Sequence, residues 1–196
     1  MNYREYKRDI FKHLETLKDS PDRVILLHTI SGDCRMGAGI AQKIEDLFHW
    51  RTAVIENESY TQEAVIKTMK GPWTWDKKRD GWTNPYGDKL EIHWPIGSIV
   101  IAHEWFREGA EDPTCAWLDI WGLVTKERYW QKPTIQDMDE ALKDLSRVLL
   151  RNEKPVTLVM PTIGCGLDRL DWPEVSFLIH KHLGDIPNLN VEVCQL

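Results

Sequence analysis

The chain has 196 residues, 42% of them hydrophobic and 29% charged, a balance that supports a packed core and excludes a disordered polymer. That length allows one domain with a sizeable core, or one domain carrying a large insertion. A formal net charge of −6 argues against a dedicated, sequence-independent nucleic-acid binder, although a local basic patch remains compatible with it.

In chain order, short β-rich runs alternate with longer helical periods, the pattern of an α/β layered domain. Residues 3–7 read as a first strand at a sheet edge. Ile10, Leu14 and Leu17 fall at helical spacing until Asp19-Ser20-Pro21-Asp22 breaks the period. The apolar run 24–27 is expected to be a strand covered on both faces. Ile40, Ile44, Leu47 and Phe48 then recur as one face of an amphipathic helix. Residues 52–55 read as a strand and 61–69 as a helix.

Residues 70–95 differ in character, with Gly, Pro, Trp and charged residues and turn signals at Asp80-Gly81, Asn84-Pro85 and Tyr86-Gly87. An inserted β-hairpin or long loop is expected there, within an insertion spanning about residues 70–116. Strands are expected over 98–102 and 117–125. Pro133 suits the first turn of a helix whose buried stripe is Ile135, Met138, Leu142, Leu145 and Leu149. Residues 156–160 read as a buried strand. Asp171 with Glu174 three residues on has the spacing of a capping box, with Pro173 in the first turn of a helix reaching about Leu183. A last strand covers 191–194.

The apolar runs fall short of the roughly 20 residues of a membrane span, and the opening residues lack the apolar stretch of a signal peptide. A cytoplasmic protein is expected, by default a monomer. Cys34, Cys115, Cys165 and Cys194 form no CxxC pair, so neither a zinc site nor a disulfide framework is expected.

Two segments share one arrangement: buried strand, Gly-rich turn, helix. The first turn is Ser31-Gly32-Asp33-Cys34-Arg35-Met36-Gly37-Ala38-Gly39, the second Gly164-Cys165-Gly166-Leu167-Asp168. Ligands of α/β sheets gather at the carboxyl ends of strands. Glycines let backbone approach a phosphate, and helix-initial N–H groups face an anion. Two such loops opposite one another would hold a diphosphate. Neither matches a P-loop or GxGxxG fingerprint, and spacing alone leaves a phosphate cradle and ordinary turns equally open.

The stretch from His28 through Gly39-Ile40-Ala41 resembles the first ligand loop of macro domains, and within them the branch of the terminal ADP-ribose protein glycohydrolase. The stretch Met160-Pro161-Thr162-Ile163-Gly164-Cys165-Gly166-Leu167-Asp168-Arg169-Leu170-Asp171-Trp172 is similar to that branch's second loop. Thr125-Lys126 with Lys132-Pro133-Thr134 matches a third block, and residues 3–11 resemble the opening strand. The resemblance covers the first fifty residues and everything after about residue 117.

It implies a single macro domain over residues 1–196: a three-layer α/β/α sandwich around a mixed sheet, with a Trp-rich insertion and ADP-ribose in a surface cleft. Carried over by position, Asp9 would accept from the adenine amino group and the Ile10 amide would help hold the ring. Ser31 and the turn Met36, Gly37, Ala38, Gly39 and Ile40 would lie along the proximal phosphate and distal ribose. Thr162, Ile163, Gly164, Cys165, Gly166 and Leu167 would wrap the diphosphate, and Leu196 would lie near the adenine. The implied catalytic pair is Lys126, attacking C1″ of the distal ribose, and Asp168, handling protons. An amine attacks carbon only when neutral, whereas a neighbouring carboxylate favours the charged form, so the two would act as a coupled unit. A plain salt bridge is the alternative. The implied activity is ADP-ribosyl hydrolysis on a protein carboxylate or nucleic-acid base. A phosphatase for ADP-ribose 1″-phosphate and a non-catalytic reader are the alternatives. No cofactor is implied.

His28 reads as a packing residue, Cys34 and Cys165 as small packing groups, and His180 and His182 as lying on a solvated helix face. The ten tryptophans concentrate between Trp50 and Trp130. Lys67, Lys70, Lys77, Lys78 and Arg79 interleave with Trp73, Trp75 and Trp82, a pattern that single-stranded nucleic acid can use through charge and stacking. A hairpin packed on the sheet edge with its charges in solvent is the preferred account of that segment.

Overall fold

The computed structural model describes residues 1–51, 54, 74–76, 81–83, 89–90, 94–102 and 117–195. In chain order their elements are β1 (Asn2–Lys7), α1 (Ile10–Glu15), β2 (Arg23–Ser31), α2 (Gly39–Phe48), β3 (Thr74–Asp76), β4 (Gly81–Thr83), β5 (Lys89–Leu90), β6 (Ile99–Ala102), β7 (Leu118–Lys126), α3 (Ile135–Leu149), β8 (Val156–Pro161), α4 (Trp172–Leu183) and β9 (Leu189–Gln195).

The apolar run of β2 is buried because it lies near the middle of a six-stranded sheet, ordered β1-β9-β8-β2-β7-β6. β1 pairs parallel with β9, β9 with β8, β8 with β2 and β2 with β7, whereas β6 alone runs antiparallel, against β7. Alternation along β2 divides the core into two. Val24, Leu26 and Ile30 face a cluster containing Ile10 and Leu14 of α1 and Ile44 of α2. Ile25 and Leu27 face the other, with Met138, Leu142 and Leu145 of α3 and Val175 and Ile179 of α4. Helices on both faces of a mixed sheet make the expected three-layer sandwich.

α3 starts sharply because Thr134 accepts from the Asp137 amide at 3.1 Å while Asp137 accepts from the Thr134 amide at 2.7 Å, a complete capping box. Pro133 therefore sits one residue before the cap rather than in the first turn. α4 behaves differently. Asp171 is its N-cap but makes no side-chain cap bond, so the expected box is not formed. Pro173, the second helical residue, has no N–H to donate, and the Asp171 carboxylate does not accept from the Glu174 amide that a box would use.

Other expectations need correction. Trp50, Arg51 and Val54 are helical, so the strand expected over 52–55 does not exist at the residue of that span the structure describes. Leu47 of α2 is 59% exposed, and Ile44 is the buried residue of that helix. β3, β4 and β5 form a separate three-stranded antiparallel sheet in which Trp75 and Trp82 are register partners, one strand more than a hairpin. The helix expected over 61–69, Lys67, Lys70, Trp73, Lys77, Lys78 and Arg79 lie outside the described residues. Among the described residues, no helix is long and apolar enough to cross a membrane.

Candidate functional site

Three adjacent parallel strands, β8, β2 and β7, carry the site, and their carboxyl ends all reach the same edge of the sheet. β2 runs into the first Gly-rich loop, β8 runs into the second, and Lys126 is the last residue of β7. A cavity of about 1180 Å³ opens between them. This is somewhat above the ~300–1,000 Å³ of ordinary small-molecule sites, and the space is open between the loops rather than closed into a hole.

Ser31, Met36, Gly37, Ala38, Gly39 and Ile40 line one wall, and Thr162, Ile163, Gly164, Gly166 and Leu167 line the facing one. Lys126 and Asp168 also border the cavity. Three expected residues do not. Cys165 turns away, its thiol donating to the Ile163 carbonyl at 3.3 Å, and burial raises its pKa to about 11. Asp9 caps α1, accepting from the Phe11 amide at 3.0 Å and the Lys12 amide at 3.1 Å, and Ile10 is buried beneath it. Leu196 lies outside the described residues.

Backbone geometry explains the glycines at two places. Gly39 has φ +62 and Gly164 φ +73, the left-handed region in which a side chain is strained. At Gly39 that turn delivers the chain into α2, whose N-cap Ala38 supplies no side-chain acceptor. The first N–H groups of α2 border the cavity through Gly39, Ile40 and Ala41, suited to an anion. α4 does not repeat this: Asp171 and Trp172 are not part of the wall, so the second loop presents its own backbone and no helix terminus.

The Lys126 ammonium donates to the Asp168 carboxylate, and the two side chains are only 14% and 12% exposed. The contact spans from the end of β7 to the loop after β8. It sets an amine and a proton acceptor side by side on the wall of a cavity large enough for a substrate.

Several wall residues were not singled out from sequence. Gln42, Glu45 and Asp46 extend the wall along α2, a helical i, i+3, i+4 spacing that would have placed them together with Gly39. Glu45 accepts from the Arg51 amide at 2.7 Å and lies 3.4 Å from its guanidinium. Arg35 stacks 3.9 Å over the ring of Tyr129, and both line the cavity. No local sequence pattern links residues 35 and 129; the β2–β7 pairing does.

The remaining groups are structural. His28 is fully buried, edge-on to Trp50 with ring centroids 5.0 Å apart, and burial pushes its pKa down to about 3. Cys34 is buried and its thiol is pushed up by desolvation. His180 is exposed, but His182 is not: its ring is 12% exposed and lies 2.8 Å from Asp139 of α3, between the two helices.

No family model matches the chain. Among curated proteins it is 29% identical to the ADP-ribose glycohydrolase OARD1 of Bos taurus over 161 residues, 82% of this chain and 75% of that protein. The Homo sapiens protein of the same name is also 29% identical, over 80% of this chain and 72% of its own length. Among solved structures, the macrodomain of Thermus aquaticus DarG superposes with a TM-score of 0.62 at 18% identity, covering 98% of this chain and 97% of that one. Thermosipho africanus DarTG, solved in complex with ADP-ribose, gives a TM-score of 0.58 at 16% identity over 98% of this chain and 42% of its own.

Proposed function

Because the chain is a macro domain near the terminal ADP-ribose glycohydrolase branch, we propose that it binds ADP-ribose in the cleft and hydrolyses ADP-ribosyl linkages through Lys126 and Asp168. Residues 1–196 are taken as one such domain with an insertion at about 70–116. The observation that carries the reading is the Lys126–Asp168 contact at the wall of the cavity between the two Gly-rich loops.

In this reading the diphosphate lies between the Gly37-Ala38-Gly39 turn and the Thr162 to Leu167 segment, facing the N-terminus of α2. The distal ribose reaches the catalytic pair. Lys126 passes a proton to Asp168 and attacks C1″ as the neutral amine. The C1″–acceptor bond breaks, the acceptor leaves with the proton, and water then releases ADP-ribose from the lysine nitrogen. Asp9 and Ile10 would meet the adenine beyond the described cavity wall.

The test offers purified protein three substrates: an ADP-ribosylated glutamate protein, ADP-ribosylated thymidine DNA and ADP-ribose 1″-phosphate. Release of ADP-ribose from either of the first two supports the proposal and identifies the acceptor. Turnover of the phosphate ester alone would make the protein a phosphatase. Tight ADP-ribose binding with no turnover of any of them would make it a reader.

A further inference from the structure

The pairing of β2 with β7 is regular from Val24↔Leu118 to Ile30↔Val124, and then breaks: Ser31 pairs with Lys126, and Thr125 is skipped. Bulges are rare in parallel pairs and serve to re-aim a side chain. Ile30 and Val124 both face the core under α1 and α2. Strict alternation from Val124 would send Lys126 toward that same face, with Thr125 beside Ser31. The extra residue pairs Lys126 with Ser31 instead, on the face opposite Ile30 and Val124, and both Ser31 and Lys126 border the cavity.

A set of contacts closes over this bulge. The Gly32 amide donates to the Lys126 carbonyl at 2.8 Å, and the Trp94 amide donates to the Gly32 carbonyl at 3.0 Å. A side chain at Gly32 would collide with the Trp94 carbonyl and meet that of Glu127. Asp33 joins the two strand ends: one carboxylate oxygen accepts from the Ser31 hydroxyl at 2.5 Å, and the other accepts from the Tyr129 amide at 3.2 Å. Asp33 is only 7% exposed. It is not among the residues lining the cavity, so these bonds, rather than substrate, account for a buried carboxylate here.

We propose that Asp33 is a positioning residue whose carboxylate holds the β2–β7 bulge and thereby aims Lys126 into the cleft. The inference rests on the catalytic reading of Lys126, but the bulge itself can be tested apart from it. Asp33 acts through its two bonds rather than through contact with the sugar. Asparagine can keep both, with its amide oxygen accepting from Tyr129 and its NH₂ donating to the Ser31 oxygen. Alanine keeps neither.

The experiment compares Asp33→Ala and Asp33→Asn with wild type in single-turnover release of ADP-ribose, in ADP-ribose affinity and by crystal structure. Asp33→Ala is expected to slow turnover by about a hundredfold, the scale of a misplacement near 1 Å, with the Kd for ADP-ribose within about threefold of wild type. Asp33→Asn should restore turnover to within about threefold of wild type. The Asp33→Ala structure should show Lys126 displaced from Asp168. If alanine does not yield folded protein, Asp33→Ser, too short to span both partners, takes its place with the same expectation. Wild-type turnover in the truncated variant, a loss of affinity matching the loss of rate, or failure of asparagine to restore would each overturn the proposal. So would an unmoved Lys126 in the variant structure, a readout that stands even if wild type turns over no substrate.

Discussion

Replacing Gly164 by alanine puts a methyl group into a loop position where both backbone and surroundings oppose it. The residue has φ +73, and the new Cβ would lie 2.8 Å from Met138 Cε and 2.9 Å from Leu170 Cδ1. Left-handed backbone costs an alanine about 1–2 kcal/mol. The two close contacts are with ends of flexible side chains, which can retreat, so overpacking adds about 1–2 kcal/mol at the low end of its usual range. A domain of this size loses about 2–4 °C of Tm per kcal/mol, which puts the drop on the order of 5–15 °C. Gly166, two residues on, is the matched control. A Cβ there meets nothing within 4 Å, and its φ is not in the left-handed region. Calorimetric melting should find Gly166→Ala within about 2 °C of wild type. Equal melting temperatures for Gly164→Ala and wild type, or an equal fall in both variants, would refute the geometric account of this loop.

The two helix starts give a second contrast. Thr134→Ala breaks a complete capping box and should cost about 1 kcal/mol in urea unfolding, whereas Asp171→Ala, which loses no cap bond, should cost under about 0.5 kcal/mol; equal losses would contradict the assignment. His28 sets a pH dependence. The unfolded chain binds a proton on it near pH 6.5, which the fold refuses until about pH 3. Its contribution to stability is therefore complete above about pH 6.5 and is lost as pH falls through that window, by up to about 1.4 kcal/mol per unit. Between pH 6.5 and 5 wild type should lose on the order of 2 kcal/mol more than His28→Leu, and parallel stability curves would count against it.

Much of the sheet was legible because burial on both faces leaves long apolar runs, as in β2 and β8, and because α3 carries a strict helical stripe. The Gly-rich loops were legible for a related reason, since a turn between a buried strand and a helix leaves few residue types able to serve. Pairing was not. Which residue of β7 stands opposite Ser31 depends on a one-residue bulge, and no periodicity records it. The same applies to Arg35 on Tyr129 and to Asp33 between Ser31 and Tyr129, contacts made by residues nearly a hundred positions apart. Val54 shows the reverse failure: a β-branched residue in a short apolar run, helical in the structure and buried in the core cluster beside Trp50. Tertiary packing overrode strand propensity there. At Asp171 the capping spacing was correct, but the side-chain bond that the spacing allows is not made.

The most direct test of the central claim is single-turnover release of ADP-ribose by Lys126→Ala, measured beside its ADP-ribose affinity. The expected result is a rate lower by on the order of a thousandfold or more, with affinity retained because the two Gly-rich loops are untouched. Undiminished release by Lys126→Ala would contradict the account and leave the Lys126–Asp168 contact as a salt bridge.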